Sequence, residues 1–132
     1  MQPKANLLKV SLVIFTLIAL VYGFIYLFFP QIDVKASGGN PVPSGWLRWF
    51  GGILLALGVG AIMIIRNPKK QGIFVTTIAL GTLLCGLALL YSGVFEPEGI
   101  GNVWHTLIPG IINVFLSILF WIGMKQSKEI LR

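Results

Sequence analysis

The main pattern in this sequence is the alternation of four long apolar segments with short polar ones. The apolar segments cover about residues 10–29, 46–65, 73–91 and 103–124. A bilayer core about 30 Å thick is crossed by a helix of about 20 residues, whereas a barrel strand needs only about 9 to 11. Backbone groups cannot stay unpaired in hydrocarbon. The pattern therefore predicts four transmembrane helices in one domain, residues 1–132.

The polar breaks support these bounds. The first segment ends at Pro30, where a helix is expected to stop, and the second ends at a basic, proline-containing break over 66–72. A polar tail, 125–132, follows the fourth. At 20 residues the first segment exceeds the roughly 7 to 15 apolar residues of a signal peptide, so we expect it to be retained as a helix.

Composition places the chain in the same class. Of its 132 residues, 56% are hydrophobic and only 11% are charged, and the mean hydropathy is +0.89. These values lie outside the range of soluble domains. We therefore predict an all-α integral membrane protein, a four-helix bundle.

The basic residues indicate how the bundle is oriented. With four spanning helices, one side of the membrane carries Lys4, Lys9, Arg66, Lys69, Lys70, Lys125, Lys128 and Arg132, and the other carries Lys35 and Arg48. The positive-inside rule then puts both termini in the cytoplasm. The net charge of +6 fits attraction to anionic lipid headgroups and needs no nucleic-acid partner.

The residues that could perform chemistry are few. Every carboxylate lies outside the predicted helices, at Asp33, Glu96, Glu98 and Glu129. Proton-driven transport normally uses a carboxylate inside the membrane, so this function is disfavoured. A haem between helices usually has two axial ligands, but the chain has a single histidine, His105, and its lone Cys85 cannot form a thiolate cluster. We predict a non-enzymatic protein with no cofactor and no metal site.

Small residues in the middle helices predict how the helices pack. The second helix carries Gly51, Gly52, Ala56 and Gly60, and the third carries Gly81 and Gly86. Small residues about four positions apart let helix backbones approach closely in a membrane. Because a short loop joins these two helices, we expect them to pack as an antiparallel hairpin. The alternative is that the same residues form a homodimer interface.

Arg48 lies between two tryptophans at the start of the second helix. At about 100° per residue, Gly51 and Gly52 fall within roughly 60° of Arg48, whereas Trp46 is about 160° away and Trp49 about 100°. Tryptophan at this depth is typical of an interfacial anchor facing lipid. We expect Arg48 to look into the bundle near the extracytoplasmic boundary.

The partners expected for Arg48 are on the same side of the membrane. Glu96 and Glu98 lie in the loop after the third helix, and His105 begins the fourth. A desolvated guanidinium is costly without a partner. Two interpretations remain open: a salt bridge that ties the second helix to this loop, or a binding site for an anionic headgroup or polar ligand.

A second polar line runs along the fourth helix. His105, Asn113 and Ser117 lie near one side of it, with Pro109 between them. Asn113 is near the bilayer centre, where an amide needs a partner such as a threonine of the third helix. The alternatives are an interhelical hydrogen bond with a proline kink, or an outward-opening cavity lined by Arg48, His105 and Asn113.

One known group shares this layout. A first helix that ends "YLFFP" and a second that reads "LRWFGGILLALGVGAIMIIRNP" resemble the small bacterial four-helix proteins of the DoxX-like group. In that group an arginine followed by a Gly-Gly pair opens the second helix, and here those positions are Arg48, Gly51 and Gly52. The resemblance implies a protein of the bacterial cytoplasmic (inner) membrane. It also implies association with quinone-linked sulfur oxidation or with larger membrane complexes.

Two hypotheses about function follow. The first is a non-catalytic subunit or scaffold, which binds other membrane proteins or further copies of itself through apolar faces, and lipid through its basic rim. The alternative is a protein that binds a lipid or quinone in a pocket near the extracytoplasmic boundary, around Arg48. The first is favoured, because ionisable groups inside the membrane usually mark a pathway or chemistry and this chain has almost none.

Overall fold

The computed structural model describes residues 6–132, and in that range the chain is helical apart from its connections. Its helices are α1 (Asn6–Phe28), α2 (Gln31–Ser37), α3 (Ser44–Arg66), α4 (Gly72–Phe95), α5 (Trp104–Gln126) and α6 (Lys128–Leu131). The long helices α1, α3, α4 and α5 have 23 or 24 residues and mean hydropathies between 1.9 and 2.5. At 1.5 Å per residue each is about 35 Å long, which is enough to cross a bilayer. The predicted all-α, four-helix membrane bundle is confirmed.

The helix bounds differ from the predicted ones by up to four residues. α1 begins at Asn6 rather than near residue 10, and α4 ends at Phe95 rather than residue 91. The prediction followed uninterrupted apolar residues, whereas helical hydrogen bonding continues through polar residues such as Lys9 and Ser92. The short helices α2 and α6 were not predicted, because so few residues show no apolar period.

The long helices pack in two pairs. α1 packs along α3 and α4 packs along α5, and a smaller contact between α1 and α5 joins the pairs. The order in space is therefore α3, α1, α5, α4. In the part of the chain that the structure describes, α3 and α4 do not form a packed pair, so the predicted hairpin is wrong. A short connection keeps their ends close, but the close backbone contacts of each helix are made with a different neighbour.

The first pair is held by glycines that bring two backbones together. A Cβ added at Gly51 of α3 would lie 2.6 Å from the amide nitrogen of Leu27 and 2.8 Å from the carbonyl oxygen of Gly23 on α1. A Cβ added at Gly23 would lie 2.8 Å from the amide nitrogen of Leu55. Any side chain here would push the helices apart, so the glycines set their separation.

The second pair combines a glycine contact with a polar one. A Cβ at Gly86 of α4 would lie 2.8 Å from the amide nitrogen of Val114 and 3.0 Å from the carbonyl oxygen of Gly110. Nearby, the buried hydroxyl of Ser117 donates to the carbonyl oxygen of Ala79 at 2.9 Å. This hydrogen bond between helices fixes the register of α5 against α4.

Aromatic packing joins the two pairs. Phe15 of α1 meets Phe120 of α5 edge to face, with ring centroids 6.1 Å apart. Phe120 is fully buried, and Leu116 beside it is 2% exposed. This contact forms the centre of the bundle.

The connections gather at the two ends of the bundle. We call one end the loop end, which holds residues 29–43 and 96–103. The other is the terminal end, which holds the start of α1, residues 67–71 and residues 127–132.

Backbone hydrogen bonds hold each end together. At the loop end, the amide of Asn40 donates to the carbonyl of Gly99 at 2.6 Å, and the amide of Asn102 donates to that of Ser37 at 2.8 Å. At the terminal end, the amide of Lys70 donates to the carbonyl of Ile130 at 3.1 Å. The loop-end bonds therefore link one helix pair to the other, and the terminal-end bond ties the α3–α4 linker to α6.

Charge is divided unequally between the ends. Among residues 6–132, the terminal end carries Lys9, Arg66, Lys69, Lys70, Lys125, Lys128, Arg132 and Glu129, and the loop end carries Asp33, Lys35, Arg48, Glu96 and Glu98. Lys4, which was assigned to the basic side, lies outside the described residues. Most basic residues of this range thus lie at the terminal end, as the sequence predicts. Which side of the membrane that end faces stays a prediction.

Candidate functional site

The predicted cluster around Arg48 is not assembled. Arg48, Glu96, Glu98 and His105 all have exposed side chains, and within residues 6–132 none of the four makes an ion pair or a side-chain hydrogen bond. Arg48 is on α3 and Glu96 follows α4, and these helices do not pack. The expected salt bridge is therefore missing from this part of the chain.

The amide of Asn113 finds its partner within its own helix. Its Nδ2 donates to the carbonyl oxygen of Pro109 at 2.8 Å. The hydrogen bond between α4 and α5 is made instead by Ser117, one turn further along. Arg48, His105 and Asn113 thus share no hydrogen bond, and the structure gives no support to an outward cavity lined by them.

The loop end contains a polar contact that the sequence analysis missed. The hydroxyl of Tyr26, near the end of α1, donates to Oδ2 of Asp33 on α2 at 2.9 Å. Nε2 of Gln31 donates to the carbonyl of Val42 at 2.7 Å and to Oγ of Ser44 at 3.0 Å. These bonds fix α2 between α1 and α3. A tyrosine at a helix end with an acid seven residues on was the only sequence signal.

The predicted packing residues divide into two sets. Gly51 and Gly86 lie at the close helix contacts described above. A Cβ added at Gly52, Gly60 or Gly81 would meet nothing within 4 Å among the described residues. Ala56 is likewise exposed. Gly52, Gly60 and Gly81 therefore take no part in a close helix contact within the described chain, because α3 and α4 turn their contacting faces toward α1 and α5. Packing of these residues against a second copy stays a prediction.

The open side between α3 and α4 forms a groove of about 450 Å³, which we call the lateral groove. From α3 it is lined by Ala56, Leu57, Gly60, Met63 and Ile64. From α4 and the preceding linker it is lined by Asn67, Gln71, Phe74, Thr77 and Ile78. Two of the residues that were predicted to close this interface, Ala56 and Gly60, are instead part of an open wall.

The lateral groove is apolar along most of its length and polar at one end. The hydroxyl of Thr77 donates to the carbonyl of Ile73 in its own helix at 2.9 Å, so it offers the groove no free donor. The side-chain amides of Asn67 and Gln71, at the terminal end, have no hydrogen-bond partner within the described part of the chain. The groove therefore suits a ligand with a long apolar part and a polar group at the terminal end.

Comparison with known proteins places the chain in a family. Residues 7–122 match the family described as "Domain of unknown function (DUF4345)". The chain belongs to the DUF4345 family. The matched segment of this DUF4345 protein includes the whole lining of the lateral groove.

The DUF4345 chain is also similar to a curated bacterial protein. It is 33% identical over 58 residues to a UPF0295 protein of Bacillus pumilus (strain SAFR-032). The match covers 42% of this chain and 50% of the relative, so the chain spans half the length of that protein. No solved structure matches the chain. The relative's name states no activity.

Proposed function

We propose that this protein is a non-catalytic membrane protein that holds the acyl chain of a membrane lipid in the lateral groove. The observation that supports this is the open, mainly apolar space between α3 and α4, on the side of each helix turned away from its packed partner. Its volume of about 450 Å³ lies within the range of roughly 300 to 1,000 Å³ typical of small-ligand pockets.

The wall of the groove suits a flexible chain. Gly60 and Ala56 leave room next to the α3 backbone, and Met63 and Phe74 at the rim present large, exposed apolar side chains. Methionine adapts its shape to irregular partners. A lipid chain held here makes dispersion contacts on two sides, which it lacks on a convex helix surface.

A pair of variants on α3 tests this function. Gly60→Phe fills the groove, whereas Gly52→Phe adds the same ring at a site that also faces open space but does not line the groove. The measurement is native mass spectrometry of protein released from nanodiscs, which counts the lipids that remain bound. We expect Gly60→Phe to lose a lipid that both wild type and Gly52→Phe retain.

Equal lipid retention by both variants would contradict the groove function. Circular dichroism and the thermal unfolding midpoint check that both variants are folded, so that a lost lipid is not mistaken for a lost structure.

A second candidate function is that of a subunit or scaffold in a larger membrane assembly. The observation that favours it is that Gly52 and Gly81 face open space outside the groove lining. Small exposed residues on a spanning helix are a typical surface for a helix of another membrane protein or of a second copy. Native mass spectrometry from the protein's own membrane tests it. We expect the protein to be released together with its partner chains at a fixed stoichiometry, and Gly52→Phe to abolish this association. Release as a lone chain at every protein concentration would exclude the subunit function.

The orientation with both termini in the cytoplasm is part of the same proposal. The concentration of basic residues at the terminal end supports it, and the bacterial relative is consistent with a bacterial cytoplasmic membrane. Labelling of single cysteines by an impermeant maleimide in intact cells tests it, in a Cys85→Ser background that removes the native thiol. Lys35→Cys should react and Lys69→Cys should not, and the reverse would show the opposite orientation. The DoxX-like resemblance around Arg48 remains a prediction.

A further inference from the structure

We infer that the lateral groove selects an anionic phospholipid, whose phosphate is held at the terminal end by Arg66, Lys69 and Lys70 together with the amides of Asn67 and Gln71. This inference rests on the proposed function of the groove as an acyl-chain site. It adds the chemical class of the ligand and the residues that recognise it.

The apolar part of the groove cannot select one lipid over another. Every lipid in the bilayer offers a hydrocarbon chain, and surrounding chains are as apolar as the groove wall. Discrimination must therefore come from the headgroup, where Asn67 and Gln71 meet the groove.

The two amides are available as donors at that position. Each side-chain amide carries two N–H donors. Neither amide has a hydrogen-bond partner within residues 6–132, and both residues line the groove. A phosphate oxygen would give these donors an acceptor at the place where an acyl chain leaves the groove.

The cations that flank these amides along the chain are also unpaired. Arg66, Lys69 and Lys70 are exposed, and in the described part of the chain no carboxylate forms an ion pair with any of them. The one acid of the terminal end within that part, Glu129, lies on α6 and is exposed. Basic pockets between spanning helices on the cytoplasmic side are a recognised way to bind anionic headgroups.

The linker that carries the cations is held in place. The amide of Lys70 donates to the carbonyl of Ile130 at 3.1 Å, and that of Gln71 donates to the carbonyl of Pro68 at 3.3 Å. Lys70 adopts a left-handed conformation (φ 61°), which closes the turn into α4. Because the linker backbone is fixed before a ligand binds, little ordering is needed on binding.

The loop end lacks such a positive site. There Lys35 and Arg48 are accompanied by Asp33, Glu96 and Glu98, so acids outnumber bases. An anionic headgroup is therefore favoured at the terminal end only, which gives the bound lipid one direction in the groove.

Competition between two lipids with identical acyl chains tests this inference. The full-length protein is placed in nanodiscs with equal amounts of phosphatidylglycerol and phosphatidylcholine, and native mass spectrometry gives the ratio of the two lipids retained. We expect wild type to retain mainly phosphatidylglycerol. The double variant Lys69→Gln with Lys70→Gln should lower this preference by about fivefold per cation.

The matched control removes two cations elsewhere at the same end of the bundle. Lys125, near the end of α5, and Lys128, on α6, are exposed and do not belong to the linker that carries Asn67 and Gln71. The double variant Lys125→Gln with Lys128→Gln should keep the wild-type preference. An equal loss in both double variants would overturn the inference, because it would show attraction by the general charge of this end. Added glycerol 3-phosphate should not displace the lipid, and displacement would identify a free-phosphate site instead.

The groove function and its selectivity fail in different ways. If Gly60→Phe releases both lipids but wild type retains them equally, the acyl-chain site is supported and the anionic selection is overturned. If Gly60→Phe retains both lipids as wild type does, the groove is not the site and both proposals are overturned.

Discussion

The faces of α3 show two uses of small residues in one helix. Gly51 lies against the backbone of α1, with no room for a Cβ, whereas a Cβ added at the next residue, Gly52, would meet nothing within 4 Å among the described residues. On α4, Gly86 and Gly81 differ in the same way. One glycine of each pair brings two helices together, and the other leaves a helix surface open to the bilayer. A small residue therefore permits a contact without deciding whether the contact is made.

The largest difference in stability between the packed and the open face of α3 is expected for substitutions at its adjacent residues Gly51 and Gly52. Gly51→Ala places a methyl group 2.6 Å from the amide nitrogen of Leu27, so the α1–α3 backbones must separate, and we expect a loss of about 3 kcal/mol in the free energy of unfolding. Gly52→Ala should be up to about 1 kcal/mol more stable than wild type through helix propensity. Unfolding titrations in mixed micelles measure both, and equal effects would mean that the two faces do not differ.

A smaller loss in the free energy of unfolding is expected when the contact between α4 and α5 is disturbed. Gly86→Ala would put a methyl group 2.8 Å from both the amide nitrogen and a methyl carbon of Val114. Because that side chain can move in part, we expect a loss of about 2 kcal/mol. Gly81→Ala is the matched control and should be neutral or slightly stabilising. The same unfolding titrations measure both variants. A Gly86→Ala protein as stable as wild type would contradict the close contact between α4 and α5.

The hydrogen bond between α4 and α5 gives the next smaller effect. Ser117→Ala removes the donor to Ala79 from a site that is 1% exposed. Interhelical side-chain hydrogen bonds in membranes contribute about 0.6 kcal/mol on average and at most about 1.7, so we expect a loss of about 1 kcal/mol. Thr77→Val, whose hydroxyl bonds only within its own helix, should change stability much less. Equal losses would mean that Ser117 does not link the helices.

The smallest effect is expected at Arg48, which takes part in neither helix contact. From the sequence, Arg48 is expected on the packing face, and Arg48→Ala is predicted to weaken bundle stability or ligand retention more than Lys35→Ala does. Both side chains are exposed and unpaired within residues 6–132, so we now expect both changes to stay within about 0.5 kcal/mol. Thermal unfolding in detergent compares the two variants. A clearly larger loss of stability for Arg48→Ala would support the interpretation that Arg48 faces into the bundle.

The sequence predicted the spanning helices well and their neighbours poorly. Apolar runs long enough for a bilayer leave helices as the only option, so α1, α3, α4 and α5 could be located directly. Gly51 and Gly52 lie about 100° apart around α3, and nothing in their spacing says which of them will meet another backbone. The deciding partner is Gly23, which lies on another helix, α1, and so is not part of the spacing pattern of α3.

The candidate site was harder to predict, because a groove is a place where a contact is missing. Ala56 and Gly60 were recognised as small residues of α3 and assigned to a closed interface. The sequence does not mark Asn67 and Gln71 as part of a site, since polar residues in a turn are normally solvated. Only the structure shows that they lie at the end of an apolar groove.

The order α3, α1, α5, α4 also has a consequence for assembly during synthesis. Each packed pair consists of two consecutive spanning segments, so α1 and α3 can associate before α4 has been made. The contact between Phe15 and Phe120 joins residues far apart in the chain and can form only after α5 has entered the membrane. If each pair forms first and the two pairs dock later, assembly passes through two hairpin intermediates, α1–α3 and α4–α5. The first already carries the α3 wall of the lateral groove and the second its α4 wall.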